Sequence, residues 1–168
     1  MRRTVAIAAV IVTALLLEST VFADLRLLGV RPELLYLVTI LIALLEGPNE
    51  GAVTGFASGL TVDFLLNQPK GITALTLTLL GYAVGMARQY IVSPSPLLPT
   101  MVVGAGTAIG LAFYEIVSFL LGNFDASATY GVKVALLAAL YNMVLTPIAY
   151  PLLRRVVEGS RPRRVVRF

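Results

Sequence analysis

The 168 residues contain no cysteine, no histidine and no tryptophan. The first absence excludes disulfides and thiol chemistry. The second removes the commonest metal ligand and the commonest general base. The third leaves any aromatic belt at a membrane interface to tyrosine. Charge is scarce as well: charged residues make up 13% of the chain, about half the share in a soluble domain. No Gly-rich phosphate loop, metal-ligand cluster or nucleophile–base pair is visible. The sequence therefore predicts no enzyme, no metal and no cofactor.

What fills the chain is apolar. Hydrophobic residues make up 58%, and mean hydropathy is +0.88. That is the composition of an integral membrane protein with little chain outside the bilayer, in one polytopic domain. The net charge of +4 is unevenly placed. Arg154, Arg155, Arg161, Arg163, Arg164 and Arg167 crowd the C-terminal tail, 154–168. Such a tail anchors topology and favours anionic lipid. Nothing else supplies the basic reading surface that nucleic acid requires.

The most informative stretch is 46–71, EGPNEGAVTGFASGLTVDFLLNQPKG. Gly47, Gly51, Gly55 and Gly59 recur every fourth residue, and Asp63 falls on the next beat. Glycines one turn apart leave a groove without Cβ atoms, into which another helix backbone can pack closely. Each four-residue step over-rotates by ~40°, so the groove winds around the helix and suits a crossing partner. Its occupant is either a helix of this chain or a helix of another protein. Glu46, Pro48 and Glu50 form the turn that leads in, and Gly71 closes the stretch. Acids favour the positive start of the following helix, which accounts for Glu50 better than for Glu46.

Six spans are expected, at about 4–22, 32–46, 49–66, 72–92, 97–121 and 130–153. The first has a basic start and a Val21-Phe22-Ala23 sequence like a signal-peptide cleavage site. Its apolar run is long and contains Glu18, so it is expected to be a membrane helix. The second is short for a span, which ordinarily takes about 20 residues. Pro147 and Pro151 are expected to kink or loosen the end of the sixth. An even number of spans puts both termini on one side. The arginines of the N-terminus, the Arg88 loop and the tail make that side cytoplasmic.

Glu18, Asp63 and Glu115 are the acids embedded in apolar runs. An Asp at mid-bilayer costs at least about 2.5–3.5 kcal/mol. In this topology all three lie in the outer part of the membrane. Either they reach the interface and pair with Arg26, Arg31, Lys70 or Lys133, or they form a polar cluster facing a cavity or a partner. No acid, lysine or histidine continues inward to make a proton relay.

Three segments together resemble the MreD family of rod shape-determining membrane proteins. They are PELLYL, ALLEGPNEGAVTGFASGLTVDF and PKGITALTLTLLGY, covering about 32–82. The matching motif positions are Glu46, Gly47, Glu50, Gly51, Gly55, Gly59, Asp63 and Gly71. The resemblance implies an all-α fold of six transmembrane helices, similar to the substrate-binding components of energy-coupling-factor vitamin transporters. It implies a bacterial inner-membrane location and a non-enzymatic place in the cell-elongation machinery. The implied partner is MreC, and through it RodA, a class B penicillin-binding protein and MreB. The expected function is a membrane scaffold that helps direct peptidoglycan synthesis and cell shape. The competing expectation is a small-molecule binding subunit of a transporter.

Overall fold

The computed structural model describes residues 2–24, 29–30, 32–65, 71–90, 97–122 and 128–159. They form six α-helices: α1 (Arg2–Asp24), α2 (Leu34–Glu46), α3 (Pro48–Leu65), α4 (Ile72–Ala87), α5 (Leu97–Leu120) and α6 (Ala128–Gly159). A single 3₁₀ turn, Arg88–Tyr90, follows α4. Among the described residues there is no β-strand.

The bundle is built around α2. Every residue from Leu34 to Ala43 is buried, and Ile40, Leu41, Ile42 and Ala43 are at 0% exposure. A helix apolar on all sides must have neighbours on all sides, and α2 packs against each of the other five helices. With 13 residues it is only about 20 Å long, against a hydrocarbon core of about 30 Å. Its first turn is held at the middle of the bundle. Asn142 Nδ2, halfway along α6, donates to the Glu33 carbonyl at 2.9 Å and to Thr107 Oγ1 of α5 at 3.0 Å. A backbone that begins at membrane depth is tolerated where protein surrounds it. Pro32, before α2, is itself buried.

The outer faces are apolar. Val12 and Leu16 on α1, Ile109 and Ile116 on α5, and Leu136, Val144 and Ile148 on α6 are all more than half exposed. In water such a surface would aggregate. Next to lipid tails it is the expected exterior.

Six helices stand where six spans are expected. Three helices are long and apolar enough to cross a membrane, at Thr4–Val21, Leu97–Leu120 and Tyr130–Gly159. α2 is too short, and the glycines, hydroxyls and acids of α3 dilute its hydropathy. The ends also differ from expectation. α1 extends to Arg2 and Asp24, α3 starts at Pro48, α4 gives way at Arg88, and α6 continues to Gly159. Arg154 and Arg155, expected in the tail, lie inside α6, where Arg154 Nε pairs with Glu158 Oε1 at 2.7 Å. The remaining tail arginines lie outside the described residues, as do Arg26, Arg31 and Lys70. Pro147 and Pro151 do not end α6. In a membrane bundle, neighbouring groups compensate the backbone bonds a proline removes.

Candidate functional site: the α3–α4 hairpin

The glycine groove is occupied from within the chain. α4 runs antiparallel to α3, and the two backbones touch. A Cβ on Gly51 would lie 2.5 Å from the Gly81 carbonyl oxygen and 2.6 Å from the Ala43 Cβ of α2. One on Gly55 would strike the Leu77 carbonyl, and one on Gly59 would come within 2.5 Å of the Ala74 nitrogen. The fit is mutual. A Cβ on Gly81 would strike the Gly51 carbonyl, and one on Gly85 would strike Pro48. At such separations dispersion and Cα–H···O contacts hold two helices together without any hydrophobic drive.

Gly47 stands apart from the other three glycines. It ends α2 rather than lining α3, with φ +105° and ψ −172°, a conformation essentially restricted to glycine. Its carbonyl carbon lies at the end of the groove, 2.6 Å from where a Gly85 Cβ would be. Gly71 is the other constrained turn glycine, with φ +100° at the N-cap of α4. That residue offers no side-chain cap of its own.

Asp63 supplies the cap. Its Oδ2 accepts from the Gly71 amide at 2.9 Å and from the Ala74 amide at 3.0 Å. The carboxylate is 1% exposed. Two otherwise orphaned helix amides and the positive end of the α4 dipole compensate its burial. Asp63 thus links α3 to the start of α4 and closes one end of the glycine-packed pair.

Glu18 and Glu115 lie toward the same end of the bundle but on other helices. Glu18 is half-buried on α1. Glu115 is exposed on α5, with its Cδ 3.3 Å from the Cβ position of Gly131 on α6. Two tyrosines bring them into relation with Asp63. Tyr36 of α2 is within electrostatic reach of Glu33, Asp63 and Glu18. Tyr114 of α5 is within reach of Asp63, Glu115 and Glu33. Among the described residues no group of three or more acids, histidines or cysteines is arranged to hold a metal.

The opposite end of the hairpin carries the α2–α3 turn. Glu46, Gly47 and Pro48 face Gly85 and Arg88 across a shallow recess of about 330 Å³. Glu50 sits in the first turn of α3, where a carboxylate is stabilised by the helix dipole.

The anchoring role of Asn142 was not among the expected site residues. It is at 0% exposure and ties α6 to α5 and to the start of α2. A lone amide inside an apolar run was the available signal, since polar groups in membrane helices seek partners on neighbouring helices.

These features define an all-α membrane protein stabilised by a glycine-packed hairpin. The family model described as rod shape-determining protein MreD matches residues 1–156, and the chain belongs to that family. No curated protein and no solved structure matches the chain. The implied likeness to vitamin-transporter components thus has no solved structure behind it.

Proposed function

We propose that this protein is a non-enzymatic scaffold of bacterial rod-shape determination, holding MreC in the inner membrane. Through MreC it works beside RodA, a class B penicillin-binding protein and MreB filaments to direct peptidoglycan synthesis. The observation that carries this reading is the family match over 1–156. The apolar composition supports its membrane setting, and the chain has neither cysteine nor histidine.

In this reading all six helices cross the bilayer as one polytopic domain. α3, α4 and the short α2 cross as a packed unit, and both termini face the cytoplasm, where the arginine-rich tail attracts anionic lipid. α4 fills the glycine groove, so MreC docks on an apolar outer face of the bundle instead. The test is a mild-detergent pull-down from native membranes, with mass spectrometry of proteins and small molecules. An MreC-like single-span protein or a cell-wall synthase should copurify. An ATPase module, or a stoichiometric metabolite, would replace the scaffold reading with that of a transporter's binding subunit.

A further inference from the structure

Five hydroxyls border the contact of α2, α3 and α4: Thr39 on α2, Thr54 and Ser58 on α3, and Thr73 and Thr76 on α4. None is more than 6% exposed, and none has a hydrogen-bond partner. A hydroxyl on a membrane helix ordinarily avoids this by donating to the carbonyl one turn back. Five other threonines of this chain do so: Thr13 to Ala9, Thr20 to Leu16, Thr61 to Ala57, Thr78 to Ala74 and Thr146 to Asn142. Of the six buried hydroxyls without a partner among the described residues, five lie at the seam of α2, α3 and α4; the sixth is Ser118 on α5.

The seam has a definite course. Thr54 and Ser58 sit one turn apart on α3, each directly before a glycine of the line, Gly55 and Gly59. Thr39 closes the third side, its Cγ2 3.1 Å from the Cβ position of Gly81. At one end lies Asp63, whose Oδ2 holds the amides on either side of Thr73 while its buried Oδ1 has no partner. Buried polar atoms are almost always bonded, to protein or to ordered water. Here six unmet oxygens on three helices share one interface. Five of them are hydroxyls, each with one proton to give and two lone pairs to fill.

We propose that the α2–α3–α4 seam is a binding site for a row of ordered waters, held by Thr39, Thr54, Ser58, Thr73 and Thr76 and anchored on Oδ1 of Asp63. Water suits hydroxyls that need donors and acceptors alternately, and a buried water requires two to four such partners. A metal cation suits the seam less well. Its one carboxylate already faces the positive end of α4, and the seam contributes no second acid. The row gives a pair of helices locked by glycine contact a polar strip that remains satisfied inside lipid.

The experiment is radiolytic footprinting of the full chain in lipid nanodiscs, read by mass spectrometry. Radicals formed from bound water oxidise side chains that bulk solvent cannot reach. Leu77, at 0% exposure and packed against Gly55, is the reporter. The expected result is oxidation there, lost in Thr54→Val and Thr76→Val and retained in Thr54→Ser. Absence of oxidation in the unsubstituted protein overturns the proposal. So does oxidation that persists when the hydroxyls are removed. If the valine variants fail to fold, Thr54→Ala and Thr76→Ala, which also remove the hydroxyl, take their place with the same expected loss.

Discussion

Gly55 shows how much one absent methyl group accomplishes. Its Cα faces the peptide of Leu77, and an added Cβ would lie 2.5 Å from the Leu77 carbonyl carbon. That neighbour is backbone and cannot rotate away. Gly55→Ala should destabilise the bundle by at least about 1–3 kcal/mol, the usual penalty for overpacking, and lower the thermal midpoint in detergent. Gly55→Leu should prevent recovery of a monodisperse protein at all. Were the groove free for a partner, both variants would purify normally and lose only that partner. Asp63→Ala removes the cap of α4 and should cost about 0.5–2 kcal/mol, with Asp63→Asn keeping most of the stability because it retains an acceptor. Equal losses for Ala and Asn would assign the effect to charge instead. The four-residue spacing and the buried acid were legible in the sequence. What Gly51, Gly55 and Gly59 face was not, because a small-residue line specifies a close neighbour without naming it. Gly81 and Gly85 carried the complementary signal on α4.

At the scale of the helix, α2 and α6 depart furthest from what their sequences suggest. The apolar run of α2 reads as a short span, and nothing local reveals that five helices surround it. Asn142 fixes where that helix begins. Replacing it with leucine removes both interhelical hydrogen bonds, leaving the Glu33 carbonyl with the Leu37 amide alone, and should cost about 1 kcal/mol, in the range measured for polar contacts between membrane helices. The check is the thermal midpoint of Asn142→Leu beside that of Asn142→Gln; no loss in either would mean that α2 is positioned by packing alone. α6 persists through Pro147 and Pro151 because a missing amide is a smaller disturbance in a bundle than in an isolated helix. It runs six residues past the expected end at 153.

For the molecule as a whole, composition alone identified a helical membrane protein, and the six helices follow the turn signals at Pro48 and Gly71. Sidedness rests on the arginines. Because the chain has no cysteine, single substitutions report it directly. Leu121→Cys should react with an impermeant maleimide on intact spheroplasts, whereas Asn49→Cys and Glu158→Cys should react only after permeabilisation. Labelling of Glu158→Cys in intact cells would invert the topology. Wrapping α2 on every side also has a consequence for biogenesis. The helix leaves the ribosome before the four segments that come to surround most of it, and it is too short to hold a transmembrane position by itself. The insertion machinery must shelter it until the α3–α4 hairpin arrives, so a pause in translation after Glu46 exposes the nascent chain at its most vulnerable stage.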